Sequence, residues 1–102
     1  MMKLMQQAQQ FQARAKKIQD ELAQREYKAT AANGKIEVTL NGEGAMIALQ
    51  IDPCLLKEAP DSEMIADMIV MASREAFQKG RQDMQQEMSK LTSGLGLPPG
   101  LV

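Results

Sequence analysis

Residues 27–51 read YKATAANGKIEVTLNGEGAMIALQI, and this stretch decides the fold. Within it, apolar side chains alternate with small or polar ones, which is typical of strands that bury one face. The three alternating runs are Tyr27, Ala29 and Ala31, then Ile36, Val38 and Leu40, then Ile47, Leu49 and Ile51. The sequence therefore predicts three strands.

Two turns separate these strands. Asn33-Gly34 predicts a two-residue hairpin turn, because both central positions of a type I′ turn need a positive φ. Asn41-Gly42-Glu43-Gly44 supplies the second turn. The three strands then form an antiparallel meander with one apolar face. After Asp52-Pro53 ends the sheet, Leu55 and Leu56 are predicted to form a short turn over its end.

A long amphipathic helix precedes the sheet. Its apolar positions are three or four residues apart, as a helix with one buried face requires. These positions are Leu4, Ala8, Phe11, Ala15, Ile18 and Leu22. We expect this helix from about residue 3 to about residue 26, a length of roughly 35 Å at 1.5 Å per residue. Such a helix projects beyond any core that this chain can build.

A second long helix follows the sheet. It begins at Asp61 or Ser62 and reaches about residue 91, a length of roughly 45 Å. Its apolar stripe comprises Ile65, Ile69, Ala72, Ala76, Gly80, Met84, Met88 and Leu91. Gly80 has two interpretations: the other helix approaches closely there, or the helix bends there. We predict one domain over residues 1–92 and a flexible Gly/Pro-rich tail over residues 93–102.

The first half of this second helix is apolar beyond one stripe. Met64, Met68, Val70, Met71 and Phe77 widen the face that the stripe begins. One face packs on the sheet, and the other is best explained by a second copy of the chain, which predicts a homodimer. A monomer that wraps its helix more tightly is the alternative.

The residue inventory gives no support for an enzyme. The chain has no His and a single cysteine, Cys54, for which packing is the expected role. No phosphate-binding glycine motif occurs, so we expect no cofactor, no metal and no small-molecule substrate. No stretch has the length of a membrane span and no signal peptide is present, so we expect a cytoplasmic protein without a membrane partner.

Basic residues concentrate at the two ends of the chain. The net charge is −1, but the first nineteen residues hold four basic side chains and no acid. Because the two helices run in opposite directions, their distal halves should lie side by side as an arm. The candidate DNA-binding residues of this arm are Lys3, Arg14, Lys16, Lys17, Lys79, Arg81 and Lys90.

Ordinary solubilising charges are the alternative to a DNA-binding arm. On the second helix, Asp83 and Glu87 are spaced to pair with Lys79 and Lys90. On the first helix, four basic residues without an acid over the first nineteen positions leave a local positive field, and the many Gln side chains there can donate to phosphates or bases. No row of exposed aromatic residues is available to stack unpaired bases, which favours duplex over single-stranded DNA.

The order of these motifs resembles the YbaB/EbfC nucleoid-associated family. The resemblance is carried by the Gln-rich opening at 4–10, the turn Asn41-Gly42, the segment 51–56 and the tail at 92–100. It implies an α+β fold of order α-β-β-β-α, a homodimer shaped like tweezers, and weak or sequence-tolerant binding of double-stranded DNA in the nucleoid. A protein-interaction adaptor that uses its Met-rich helix faces is the competing hypothesis.

Overall fold

The computed structural model describes residues 2–58 and 61–94. The first helix, α1, spans Met2–Gln24, and the strands β1, β2 and β3 span Glu26–Ala31, Ile36–Asn41 and Met46–Ile51. A short helix, α2, spans Pro53–Glu58, and the long helix α3 spans Ser62–Gly94. The predicted α-β-β-β-α order is confirmed, with α2 as an addition.

The sheet is an antiparallel meander in the order β1-β2-β3. One face packs against α3, which crosses β1 and β2. Small residues of α3, Ala72 and Ala76, are almost fully buried, so the helix backbone approaches the sheet closely. The core comprises Ala29, Ile36, Val38, Leu40, Leu55, Ile65, Ala72 and Ala76.

Strand β3 departs from the predicted alternation. Leu40 lies opposite Met46 and Thr39 lies opposite Ala48, so Ile47 is an extra residue at a register shift. Such a shift is a β-bulge, which local periodicity does not reveal. Strand β3 lies at one edge of the sheet, and its Met46, Ile47 and Leu49 are between 42% and 49% exposed.

The first turn is longer than the sequence predicted. Asn33 and Gly34 have the expected positive φ angles of 56° and 84°, but Ala32 also has a positive φ, of 54°. The amide of Lys35 donates to the Ala32 carbonyl. The paired strands consequently end at Ala31 and Ile36, and the connection has four residues rather than two.

The second turn brings β2 against the end of α1. The side-chain oxygen of Asn41 accepts hydrogen bonds from the amides of Glu43 and Ala45, which fixes the turn. Gly42 then lies directly on the backbone of α1: a Cβ at this position would be 1.7 Å from the carbonyl oxygen of Leu22. Only glycine therefore fits where α1 meets the sheet.

Helix α2 replaces the predicted short turn. The carboxylate of Asp52 accepts a hydrogen bond from the amide of Cys54 and so caps the helix. Leu55 is buried in the core, whereas Leu56 is 53% exposed. Cys54 is also exposed, so the expectation that it packs in the interior was wrong.

Helix α3 differs from its predicted stripe in its second half. Met84 is 38% exposed, so it lies outside the buried face. Gly80 does mark a close approach, but the neighbour is the ring of Tyr27 rather than the other helix: a Cβ there would be 3.3 Å from Cδ2. The helix continues to Gly94 through Thr92, which is fully buried. Of the predicted tail, residues 95–102 lie outside the described residues.

The molecule is strongly elongated. Its extents are 67 × 21 × 17 Å and its radius of gyration is 19.0 Å, whereas a compact chain of this length has a radius of gyration of about 13 Å. The length comes from α1 and the second half of α3, which pack against each other beyond the sheet. Leu4 near the start of α1 remains 70% exposed, so it lacks the packing that its spacing predicted, and the neighbouring Met5 is 66% exposed.

We predict that Gly42→Ala destabilises the fold by at least about 2 kcal/mol, because the new methyl group overlaps the α1 backbone. Urea unfolding at a fixed protein concentration measures the change. The control is Gly34→Ala, where φ is +84° but nothing lies within 4 Å of the added carbon. It should cost only the conformational penalty of about 1–2 kcal/mol. Equal losses in the two variants would contradict the close contact of Gly42 with Leu22.

Candidate nucleic-acid interface

The basic residues of α1 lie on its solvent-exposed surface. Lys3, Arg14, Lys16 and Lys17 are all exposed. Among residues 2–58 and 61–94, none of the four has a carboxylate within 4.0 Å. The predicted candidates on this helix are therefore free to meet an anionic ligand.

The positive charge of α1 is confined to the first two thirds of the helix. One face of α1 is lined by Ala13, Lys16, Lys17, Asp20, Glu21 and Gln24. Asp20 and Glu21 follow the two lysines by one helical turn. The positive field is therefore strongest toward the distal end of the arm, away from the sheet.

Lys79, Arg81 and Lys90 of α3 each have a protein contact. The ammonium group of Lys79 donates a 2.7 Å hydrogen bond to the backbone carbonyl of Lys28 on β1. Lys90 lies 3.8 Å from Glu87, and its side chain is 75% exposed. The guanidinium of Arg81 lies over the ring of Phe77, 6.0 Å from its centre. Lys79 thus holds α3 to the sheet, while the other two remain accessible.

A polar cluster joins the end of α1 to the middle of α3. One oxygen of Asp83, Oδ2, accepts hydrogen bonds from the guanidinium of Arg25 at 2.8 Å and from the hydroxyl of Tyr27 at 2.6 Å. The Tyr27 ring lies against Gly80, whose missing side chain leaves room for it. Glu87 adds a longer contact of 3.9 Å to Arg25. We call these residues the Asp83 cluster.

The cluster shifts the protonation of its members. The hydrogen bond from Tyr27, together with Arg25, lowers the pKa of Asp83 below its ordinary value. Burial and the bond to Asp83 raise the pKa of Tyr27 to about 12. At neutral pH the carboxylate is therefore charged and the phenol is protonated, which is the combination that the hydrogen bond needs.

The Asp83 cluster corrects the expected charge pairing on α3. The spacing had suggested a pair between Asp83 and Lys79, but Asp83 binds Arg25 and Tyr27 instead. The pair between Glu87 and Lys90 is present at 3.8 Å. Sequence analysis also missed Arg74, which is exposed and has no ion pair within the described part of the chain. Its position, seven residues before Arg81 on the same helix, was the available signal.

An apolar surface lies beside the basic residues of α3. Met64, Val70, Met71 and Phe77 are between 46% and 66% exposed. A groove of about 450 Å³ separates α3 from the β2–β3 turn and has Met46 and Phe77 among its lining residues. The wide apolar face predicted for α3 is therefore present and uncovered in the single chain.

The structure offers no site for metal chemistry in the part that it describes. Residues 2–58 and 61–94 contain no group of three metal-binding side chains. Over the same residues, no helix has both the length and the hydrophobicity that crossing a bilayer requires.

Known proteins resemble this chain over most of its length. Residues 1–95 match the model of the YbaB/EbfC DNA-binding family. A nucleoid-associated protein of Brucella ovis is 42% identical over 98% of this chain and 92% of its own length, and one of Agrobacterium fabrum is 41% identical over the same shares. The crystal structure of the uncharacterized protein HP0035 from Helicobacter pylori has a TM-score of 0.68 at 18% identity, covering 81% of this chain and 86% of that one. That likeness confirms the fold.

We predict that Asp83→Asn lowers the free energy of unfolding by about 1–2 kcal/mol at neutral pH, since hydrogen bonds to a charged group are lost. Because the folded-state pKa of Asp83 is lowered, its contribution is present above the unfolded value of about 3.9 and disappears as pH falls through the folded value. The difference between parent and variant should therefore be constant from about pH 6 to 8 and shrink below about pH 4. Urea unfolding over this pH range tests it.

Glu75→Gln is the matched control for Asp83→Asn. Glu75 is an exposed acid of the same helix with no ion pair among the described residues, so the change should stay within about 0.5 kcal/mol. A difference between parent and Asp83→Asn that persists undiminished at low pH would contradict the assignment of this energy to the charged carboxylate.

Proposed function

Because the chain belongs to the YbaB/EbfC DNA-binding family, we propose that it is a homodimeric nucleoid protein whose helical arms bind duplex DNA with low sequence selectivity. The relatives are named nucleoid-associated proteins. On this proposal the protein acts in the cytoplasm, on the nucleoid, and needs no small-molecule substrate.

The observation that carries the proposal is the free positive charge of α1. Lys3, Arg14, Lys16 and Lys17 are exposed and have no carboxylate partner in the described part of the chain. Cations placed along a rod can follow a row of phosphates, and each contact releases a counterion from the DNA. Contacts of this kind do not depend on base sequence, which supports low selectivity.

The cations of α3 would contribute unequally to such binding. Arg81 is exposed and Lys90 can exchange its long contact with Glu87 for a phosphate. Lys79 would first have to leave the carbonyl of Lys28. We therefore assign the main DNA contact to the four α1 residues, with Arg81 and Lys90 in support and Lys79 least involved.

The homodimer is supported by the uncovered apolar surface of the single chain. Exposed Leu49 on β3 lies on the core side of the sheet, since it pairs with buried Val38. The exposed apolar side chains of Val70, Met71 and Phe77 on α3 would also be buried by a partner chain. A second copy presents the identical surface and can satisfy both chains at once around a twofold axis.

A protein-interaction adaptor remains the second candidate, because the tip of α1 is apolar and exposed. Met2, Leu4 and Met5 are between 66% and 83% exposed. Flexible methionine side chains adapt to varied partner surfaces. Binding to duplex DNA at two salt concentrations distinguishes the candidates, since phosphate-driven affinity falls steeply as salt rises.

We predict that changing Arg14, Lys16 and Lys17 together to Gln weakens binding to every duplex tested, by at least about tenfold at low salt, and flattens the salt dependence. Fewer counterions would then be released for each bound dimer. Fluorescence anisotropy with labelled duplexes over a range of salt concentrations measures both effects.

The matched control changes Lys28, Lys35 and Lys57 to Gln, which alters the net charge by the same amount. Lys28 and Lys35 form ion pairs with Glu37 and Glu58, and such exposed pairs contribute little to stability. The control should bind nearly as the parent does. If the two triple variants lose affinity equally, the response is to net charge alone and the adaptor hypothesis gains.

We also predict that Leu49→Asp converts the dimer to a monomer at micromolar concentration, because a charge would be buried in the proposed interface. Sedimentation equilibrium measures the mass, for which the monomer value is 11.3 kDa. Ala48→Asp, the next residue on β3 but on the opposite face of the sheet, is the control and should remain dimeric. A parent protein that is a stable monomer would refute the dimer.

A further inference from the structure

We propose that one exposed face of α3, formed by Arg74, Gln78, Arg81, Gln82 and Gln85, lies in the major groove of the bound duplex. We call this face the Arg/Gln stripe. The inference rests on the proposed function and extends it, because it names a second contact surface that is separate from the cations of α1.

The five residues share one face by helical periodicity. They follow one another at spacings of four, three, one and three residues, and all are exposed. The opposite side of the helix is occupied: Gly80 meets Tyr27, Asp83 binds Tyr27 and Arg25, and Leu91 is buried. The stripe therefore faces away from α1, and its residues Arg74, Gln78 and Arg81 line the groove beside the β2–β3 turn. A ligand can reach it in the single chain without any rearrangement.

The charge of the stripe suits DNA. It contains two arginines and three glutamines and no acid. In the described part of the chain, neither Arg74 nor Arg81 forms an ion pair. The guanidinium of Arg81 lies over the ring of Phe77. The neighbouring acids Asp83 and Glu87 are turned to the other side, where they bind Arg25. The cations of the stripe are thus left uncompensated.

The chemistry of these side chains matches what the major groove offers. Arginine donates to the O6 and N7 atoms of guanine, and glutamine can pair with N6 and N7 of adenine. The N7 acceptor occurs on both purines, so contacts to it discriminate weakly between sequences. From Arg74 to Gln85 the stripe is about 17 Å long, and an α-helix fits the width of the groove, which is about 12 Å.

A subunit interface is the other use that such a face could have. Arg74, Gln78 and Arg81 line the same groove as Phe77 and Met46, so this part of the stripe adjoins the proposed dimer contact, whereas Gln82 and Gln85 lie outside that groove. Three adjacent glutamines and two arginines are too polar for the centre of a tight homodimer interface, which is more apolar than the rest of the surface. The duplex is the occupant that these side chains favour.

The experiment compares two variants of the full chain. In the first, Gln78, Gln82 and Gln85 are changed to Ala; in the second, Arg74 and Arg81 are changed to Ala. We expect the glutamine variant to lose about fivefold to tenfold in duplex affinity with an unchanged salt dependence, because neutral contacts release no counterions. The arginine variant should lose about tenfold or more and show a flatter salt dependence.

Controls and modified duplexes make the test specific. Gln86→Ala, an exposed glutamine off the stripe, should bind as the parent does, and the pair Lys28→Ala and Lys57→Ala controls for charge. A duplex in which purine N7 is replaced by a carbon removes that acceptor from the major groove. The parent should bind this duplex several-fold more weakly than the ordinary one, and the glutamine and arginine variants should show a smaller difference.

Each outcome has a definite meaning. Parent-like binding by the glutamine variant, or equal binding of both duplexes by the parent, would overturn the proposal while leaving the α1 contact intact. A stripe variant that sediments as a monomer would assign the face to the subunit interface and would also overturn it. If neither the stripe variants nor the triple variant of α1 changes DNA binding, the proposed function itself fails.

Discussion

The structure depends on a single carboxylate oxygen. Asp83 accepts one hydrogen bond from Arg25, the residue directly after α1, and another from Tyr27, the first buried residue of β1, so one atom ties the end of α1, the sheet and α3 together. Its environment remains partly open to solvent, and the side chain of Asp83 is 26% exposed. A charged acceptor with two donors can hold elements together at a place where the chain has too few large apolar residues to do so. Gly80 supports the same cluster, because its missing side chain lets the Tyr27 ring approach α3.

The Asp83 cluster lies between two parts of the molecule that differ in how deeply their side chains are buried. On one side, small residues of α3 pack closely on the sheet, and the core side chains are almost fully buried. On the other side, α1 and α3 run together with only Leu22, Leu91 and Thr92 well buried among the described residues. The second part has more surface than interior, so its side chains are available for ligands. Free cations are concentrated on this arm, while those nearer the sheet are mostly held by acids or carbonyls.

The sequence predicted the elements well because their periodicities are local. Three alternating runs and two spaced stripes sufficed for the order of helices and strands. Periodicity did not predict contacts between residues that are far apart in the sequence. Met84 was placed on the buried face of α3 because it is apolar, yet the polar Asp83 faces inward since Arg25 and Tyr27 are there to bind it. In the same way, Lys79 was expected at a DNA surface but its ammonium binds a strand carbonyl. The free residues Lys16 and Lys17 were identified correctly as exposed, because a stretch without acids predicts exposed charge.

Because the molecule is elongated, a small change in the direction of α3 at Gly80 moves the end of the arm by a large distance. From Gly80 to Gly94 the helix extends about 21 Å, so a change of about ten degrees in its direction at Gly80 moves the tip by about 4 Å, close to the roughly 3.4 Å of helix axis per phosphate on one DNA strand. On the proposed function, the packing of one tyrosine ring against one glycine would set how closely the distal cations are aligned with phosphates. A rigid contact between Tyr27 and Gly80 would favour one local geometry of the double helix, and a flexible contact would allow the arm to bind many geometries. The mechanical stiffness of this contact would then influence how tolerant the arm is of DNA shape.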